Sequence, residues 1–228
     1  MNRPTTGKGL LFSQMAPPAG WEDDFDDWYK SEHIPQRMAI DGFSHALRYR
    51  QDGDPWHLAC YFLDDMSALD TEEYGLLKSD PPERTARMLD NVTGFTRYIT
   101  DEISDTAADQ PSDWTGLDHT LYVVAFSVPE EDEAEFDGWY DEEHTPLLMK
   151  VPGWLRVRRY RVRPGFAGPP WTHLALHEIE SPAVLDAPER AAARDTPRRD
   201  ALAAKPWFTS GRWVYDPISL ARATSKGN

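Results

Sequence analysis

The segment FDDWYKSEHIPQRMAIDGFSHALRYR (25–50) returns without gaps as FDGWYDEEHTPLLMKVPGWLRVRRYR (136–161), which lies 111 residues further along the chain. Twelve of the 26 aligned positions are identical, far more than chance gives for so short a segment. The same register extends upstream, where GLLFSQMAPP (9–18) aligns with TLYVVAFSVP (120–129). A repeat of this length predicts two copies of one structural unit in a single chain.

The repeat resumes after a short insertion at 164–170 in the second copy. PWHLACYFL (55–63) aligns with PWTHLALHEI (170–179), and RYITDEIS (97–104) aligns with RWVYDPIS (212–219). The intervening TAADQPSDWTGLD (106–118) has no periodic apolar face and contains Pro, Asp and Gly, which is typical of a linker. We therefore predict a first unit over 1–107, a linker over 108–118, a second unit over 119–222 and a tail over 223–228.

Each unit has an alternating pattern of strands and helices. Short apolar runs rich in β-branched and aromatic residues predict strands, and the spacing of Phe25, Trp28 and Tyr29 predicts a helix. Pro35 is expected to end or kink that helix. The predicted order is β-α-β-β-α-β, and right-handed crossovers place both helices on one face of a four-stranded antiparallel sheet. The predicted fold class is α+β, with two tandem ferredoxin-like units packing sheet to sheet.

Composition limits the classes of partner. The formal net charge of −15 disfavours nucleic acid and anionic membrane surfaces, because like charges repel. The single cysteine, Cys60, excludes an intramolecular disulfide framework and any multi-cysteine metal site. No apolar run approaches the length of a membrane span or a signal peptide. These features predict a soluble, cytoplasmic protein without a nucleic-acid or membrane partner.

A helix carrying W-Y-x-x-x-H-x-P, followed by a glycine and a strand with R-Y, resembles the EthD-like branch of the dimeric α/β-barrel superfamily. The motif occurs once in each copy, at Trp28, Tyr29, His33, Pro35, Gly42, Arg48 and Tyr49, and at Trp139, Tyr140, His144, Pro146, Gly153, Arg159 and Tyr160. The resemblance implies that the two sheets form an intramolecular dimeric α/β barrel. Relatives include cofactor-free quinone-forming monooxygenases, lactone isomerases, polyketide cyclases, dehydratases, chlorite dismutases and haem-degrading enzymes. Most members are homodimers of single units, so this fused pair is expected to be a monomer or a homodimer of the tandem chain.

His33 and His144 are the candidate proton-transfer residues. Each lies four positions after a tyrosine, on the same face of the predicted helix. A histidine near a helix C-terminus has its cationic form favoured, which raises its pKa and suits proton transfer near neutral pH. The alternative is a capping histidine that hydrogen-bonds the last carbonyl groups of the helix. Glu32 and Glu143 could orient these imidazoles or act as bases, or they could be solvated surface carboxylates.

The second strand of each unit supplies a tyrosine and an arginine that alternate between sheet faces. The hydroxyl groups of Tyr49 and Tyr160 could hold an enolate or carbonyl oxygen. Arg48 and Arg159 could pair with an acidic substrate or with nearby carboxylates.

The third strand contributes further histidines, and the helix contributes aromatic rings. His57 aligns with His173, and His177 lies four positions after His173 on the same face, as a pocket wall or a weak metal-site candidate. We predict no metal, because two histidines at strand spacing are too few ligands. The substrate pocket is expected to be lined by Trp28, Tyr29, Trp139 and Tyr140. The second copy is favoured as the active one, because it has more ionisable groups.

The leading hypothesis is a small-molecule enzyme without a nucleotide cofactor, since no Gly-rich phosphate loop or nucleophile elbow occurs. Its histidine would move a proton next to a carbonyl in the dehydration, cyclisation or isomerisation of an aromatic, polyketide-like or lactone substrate. One alternative is a cofactor-free or haem-dependent monooxygenase, with a histidine as the axial haem ligand. Another is a non-catalytic barrel that binds a metabolite or serves as a structural module.

Overall fold

The computed structural model describes residues 5–109 and 116–223, which form a closed eight-stranded barrel covered by helices. The strands are β1 (Gly9–Ala16), β2 (Phe43–Arg50), β3 (His57–Leu63), β4 (Thr93–Ala107), β5 (Thr120–Phe126), β6 (Trp154–Val162), β7 (His173–Ile179) and β8 (Ser210–Arg222). The α-helices are α1 (Glu22–Trp28), α2 (Ile34–Met38), α3 (Glu72–Ser79), α4 (Glu83–Asn91), α5 (Glu133–Trp139), α6 (Thr145–Leu148), α7 (Pro188–Ala192) and α8 (Pro197–Ala203). No helix within these two ranges is long and apolar enough to cross a membrane.

The barrel order is β1-β3-β2-β8-β5-β7-β6-β4, and every neighbouring pair is antiparallel. The first four strands and the last four each form a contiguous run. The two runs join edge to edge through β2–β8 and β4–β6, so they share one closed barrel, which leaves no unpaired edge. Most of the expected linker (108–118) and of the tail (223–228) falls outside the described residues.

Three apolar clusters divide the molecule into layers. One fills the barrel interior and includes Leu10, Tyr49, Cys60 and Tyr160. The other two lie outside the barrel, between the strands and the helices of each half. Strand alternation sends successive side chains to opposite sides, so each strand serves the interior and one outer layer.

The helix that carries the repeated motif continues past the proline, so of the two expected outcomes, an end or a kink, it shows a local distortion. It passes from α1 through a π-helical turn, Tyr29–His33, into α2, and the second half repeats this with Tyr140–His144. The wider turn relieves the clash between a proline ring and the carbonyl four residues earlier. It also brings positions five apart onto one face. The Trp28 and His33 ring centroids lie 4.2 Å apart, and those of Trp139 and His144 lie 4.6 Å apart.

Candidate functional site

Two cavities lie at equivalent places in the two halves, between the barrel and its covering helices. The His33 cavity has a volume of about 220 Å³ and is lined by Leu11, Ser13, Met15, His33, Arg37, Tyr61, Tyr74, Leu77, Lys78, Pro81, Leu89, Phe95 and Arg97. The His144 cavity has about 50 Å³ and is lined by Tyr122, Val124, Phe126, Trp139, Tyr140, His144, Leu148, Trp154, His177, Arg190, Arg194, Arg199, Phe208 and Arg212. The repeated π-turn therefore places one histidine in each cavity wall.

The His33 cavity contains buried polar atoms that no described residue satisfies. They are His33 Nδ1, Tyr61 Oη and Arg37 Nε. Burial, reinforced by the charge of Arg37, lowers the pKa of His33 well below its ordinary value, and burial raises the pKa of Tyr61. The imidazole and the phenol are therefore both neutral at pH 7. The expected increase in the histidine pKa is wrong, because His33 lies inside a continuous helix and is buried.

Three cations face the same space, and no carboxylate within 5–109 or 116–223 lines it. Arg37 Nη1 donates to the His33 carbonyl oxygen at 2.9 Å, and its guanidinium lies 5.4 Å from the centre of the Tyr61 ring. Arg97 donates to the Tyr74 hydroxyl at 2.6 Å, and Lys78 completes the set. The rest of the wall is mainly apolar. This cavity suits a small apolar molecule that carries, or develops, negative charge on oxygen.

The His144 cavity is smaller than the His33 cavity. A hydrogen bond fixes the tautomer of its histidine. His144 Nδ1 lies 3.3 Å from the Ala193 carbonyl oxygen, which can only accept, so the ring hydrogen is on Nδ1. Burial lowers the pKa of His144 to about 4, although the hydrogen bond to Ala193 opposes this shift. Tyr140 Oη and His177 Nε2 are hydrogen-bonded at 2.9 Å. His177 lies in the wall of this cavity, which is one of the two alternatives that the sequence left open for it.

The glutamates of the motif hold the helices together. The Thr85 hydroxyl donates to Glu32 at 2.5 Å and accepts from the Trp28 indole at 2.9 Å. In the second half, the Thr196 hydroxyl donates to Glu143 at 2.6 Å. These contacts tie each π-turn to a later helix, so neither carboxylate orients a histidine ring as the sequence suggested.

Arg48 and Arg159 pair with carboxylates of their own half. Arg48 Nη2 lies 2.6 Å from Asp26, and His57 Nδ1 lies 3.9 Å from the same carboxylate. Arg159 is 2.5 Å from Asp137 and 2.7 Å from Asp141. His173 lies 3.7 Å from Asp137.

These ion pairs lie beside the π-turn tyrosines rather than in the walls of the two histidine cavities, and Asp26 and Arg48 line a separate, larger groove. The guanidinium carbons of Arg48 and Arg159 lie 4.2 and 4.5 Å from the ring centres of Tyr29 and Tyr140. Neither arginine lines the His33 or His144 cavity, and neither His57 nor His173 does. The arginines, His57 and His173 therefore support the helices.

Tyr49 and Tyr160 do not line the cavities of His33 and His144. They point into the barrel interior, on the opposite sheet face, where Tyr49 is hydrogen-bonded to His119 Nε2 at 3.1 Å. The predicted hydroxyl contact with a substrate oxygen therefore cannot be made in the His33 or the His144 cavity; alternation gives opposite faces without saying which one the helices cover. The tyrosine that does face the His33 cavity is Tyr61 on β3.

Sequence reasoning also missed the cations of the His33 cavity. Arg97 could have been found, because it aligns with Arg212 in the repeat and each lines its own half's cavity. Arg37 and Lys78 have no such repeated partner. Among the described residues, no group of three His, Cys, Asp or Glu side chains could hold a metal ion.

Haem does not fit the histidine-lined cavities. Drug-sized ligands occupy cavities of roughly 300–1,000 Å³. The two histidine cavities have about 220 and 50 Å³. A larger groove of about 730 Å³ runs between α1–α2 and β8, but no histidine lines it.

Comparisons with known proteins agree with this architecture. Residues 128–204 match the family model of the EthD domain. No curated protein matches the chain. An anthrone oxidase-like protein of known structure shares 14% identity, with 96% of this chain and 94% of that chain covered and a TM-score of 0.67.

Two further solved structures have the same fold. A candidate monooxygenase from Fusobacterium nucleatum shares 12% identity over 94% of each chain, with a TM-score of 0.62. A chlorite dismutase variant from Candidatus Nitrospira defluvii shares 11% identity over 93% of this chain and 91% of that one, with a TM-score of 0.55. Residues 128–204 are therefore similar to the EthD domain, and the chain shares the barrel fold of these solved structures.

Proposed function

We propose that this protein is a small-molecule enzyme that transfers a proton within the His33 cavity. One observation carries the proposal: His33, Tyr61 and Arg37 each present a buried, unsatisfied polar atom and line one cavity of about 220 Å³. An unsatisfied buried polar group costs about 1–3 kcal/mol, so a bound molecule that pairs with these atoms is favoured. An apolar cavity of about 150 Å³ binds benzene, so this one suits one or two rings.

The neutral His33 imidazole accepts a proton from a carbon or hydroxyl next to a carbonyl group. The neutral Tyr61 hydroxyl donates a hydrogen bond to the carbonyl oxygen as negative charge develops there. Arg37, Arg97 and Lys78 stabilise the resulting anion. Their charges disfavour a cationic His33 in the empty cavity, and the anion offsets that repulsion once the proton moves.

Dehydration, cyclisation and isomerisation can all proceed from this anion, and a lyase or isomerase is therefore the proposed class. The substrate class is an aromatic, polyketide-like or lactone compound. The reaction needs no nucleotide cofactor in this proposal.

Cofactor-free monooxygenation is the second candidate, favoured by the names of two proteins with the same fold, anthrone oxidase-like and monooxygenase. It begins at the same anion. An activated CH₂ group then reacts with dioxygen to give a ketone and one water molecule, so that one oxygen atom enters each product. The test must therefore separate proton transfer from oxygen consumption.

Deuterium exchange into 2-tetralone, a two-ring ketone with acidic hydrogens beside its carbonyl, tests the proposal. In anaerobic D₂O, the protein should accelerate exchange at C1, as followed by ¹H NMR. His33→Gln should reduce the acceleration by about 10²-fold or more, and His144→Gln is the matched control that should retain it.

The same mixture in air, monitored with an oxygen electrode, separates the two reaction classes. Oxygen uptake coupled to exchange supports a monooxygenase, whereas exchange without uptake supports a lyase or isomerase. Tight binding without exchange indicates a non-catalytic metabolite-binding barrel. Failure to accelerate exchange of 2-tetralone, a 1,3-diketone and a butenolide contradicts the proposal.

We also propose that residues 1–107 and 119–222 are two ferredoxin-like EthD-type units derived from one ancestor. The equivalent strand orders, π-turns and cavities of the two halves support this division. We further propose that the tandem chain is a cytoplasmic monomer or homodimer, and light scattering coupled to gel filtration would give its mass.

A further inference from the structure

We propose that the His144 cavity binds a small oxyanion that retains a proton, such as hydrogen phosphate or hydrogencarbonate. Among the residues that the structure describes, four arginines line it and no aspartate or glutamate does. They are Arg190, Arg194, Arg199 and Arg212. This site is separate from the one proposed for proton transfer and does not depend on it.

The arginine cluster has few anionic partners among the described residues. Arg190 donates to a backbone carbonyl, Arg212 donates to the Ser210 hydroxyl at 2.9 Å, and Arg199 reaches a carboxylate only at 4.0 Å. Burial and the other three arginines lower the pKa of Arg194. Concentrated positive charge in a partly buried space attracts an anion.

In the first half, the arginine equivalent to Arg199 is neutralised by carboxylates. Arg84 aligns with Arg199, but its guanidinium pairs with Asp24 at 2.6 Å and with Asp27 at 2.9 Å. The cluster of four arginines is thus particular to the second half, although three other cations, Arg37, Lys78 and Arg97, face the equivalent His33 cavity.

Two buried nitrogens in the cavity wall also lack partners among the described residues. Trp154 Nε1 can only donate, and its side chain is buried. His177 Nδ1 is the other, in a residue that is 1% exposed. When the Tyr140 hydroxyl donates to His177 Nε2, the hydrogen of that ring is on Nδ1. Both wall nitrogens then present N–H groups to an anion.

The size of the cavity and the tautomer of His144 define the ligand further. A water-sized sphere needs about 10–15 Å³, so a cavity of about 50 Å³ holds only a few heavy atoms. His144 donates its Nδ1 hydrogen to Ala193, so the nitrogen left for a ligand, Nε2, can only accept. An oxyanion that still carries a hydrogen satisfies this acceptor, whereas sulfate cannot.

Isothermal titration calorimetry with inorganic phosphate tests the site, at pH 6.5 and constant ionic strength. We expect one phosphate per chain and an affinity for sulfate that is at least about tenfold weaker. Arg194→Met and Trp154→Phe should each weaken phosphate binding, the former by at least about tenfold. Arg198→Met is the matched control, because Arg198 pairs with Glu142 and does not line the cavity.

Circular dichroism and thermal melts should show that Arg194→Met is folded, since it removes one of four like charges. Absence of saturable phosphate binding overturns the proposal, and so does phosphate binding that Arg194→Met and Trp154→Phe leave unchanged. Equal affinity for sulfate overturns the assignment of a protonated oxyanion. His33→Gln should leave phosphate affinity unchanged, which separates failure here from failure of the proposed proton transfer.

Discussion

Lowering the pH from 7 to 5 should strongly destabilise this protein, because its histidines are held neutral. Burial is the main cause that lowers the pKa of all seven. Three of them, His57, His144 and His173, reach about 4. In the unfolded chain, a histidine has a pKa of about 6.5.

The direction of this change in stability follows from proton linkage. Between pH 6.5 and 4 the unfolded chain binds more protons, so the free energy of unfolding falls as the pH falls. At pH 5, each histidine whose folded pKa is about 4 costs roughly 2 kcal/mol relative to pH 7. His57, His144 and His173 together cost about 6 kcal/mol, and the other four add a cost of the same sign. Typical domain stabilities are about 5–15 kcal/mol, so this loss approaches the whole stability.

Urea unfolding followed by tryptophan fluorescence at pH 7, 6 and 5 measures this loss. His57→Gln should reduce the pH dependence by up to about 1.4 kcal/mol per pH unit, since one proton fewer is taken up. A change of less than about 2 kcal/mol between pH 7 and pH 5 would refute the reasoning.

Three further outcomes follow from individual contacts. The kcat/KM of the exchange reaction should be nearly the same at pH 6 and pH 8, because burial holds the pKa of His33 well below its ordinary value; a histidine of ordinary pKa is only about one quarter neutral at pH 6. Thr85→Val should lower the free energy of unfolding by about 1–3 kcal/mol, measured by urea unfolding, because the tryptophan and glutamate that it joins lose their partner. Arg158→Met should cost about 3–5 kcal/mol by leaving Glu178 buried without its cation at 2.5 Å, and adding Glu178→Met should recover much of that loss.

The barrel could be predicted from the sequence because apolar residues recur with the periods of strands and helices, and because the whole pattern occurs twice. The alignment of 25–50 with 136–161 indicates two copies, and alternation correctly places Arg48 and Tyr49 on opposite faces. Alternation does not say which face the helices cover, so it could not tell whether Tyr49 faces the helices or the barrel interior. That choice is made by packing between distant segments.

The site was less predictable, since local rules competed with tertiary contacts. Pro35 was expected to end or kink the helix, and a π-turn accommodates it; that turn brings the ring centroids of Trp28 and His33 within 4.2 Å of each other. The helix-terminus rule predicted a raised histidine pKa, yet burial dominates and lowers it. Lys78 lies 45 residues after His33, on another helix, and no local sequence pattern predicts that the two residues line the same cavity.

The most direct test of the central claim is a crystal structure of the protein with 2-tetralone. Our account predicts the ketone in the His33 cavity, with its oxygen at about 2.7–2.8 Å from Tyr61 Oη and its acidic carbon against the His33 ring. The Tyr61→Phe variant should lose that hydrogen bond and keep the cavity. A ketone bound in another part of the molecule, with His33 contacting protein atoms alone, would contradict the claim.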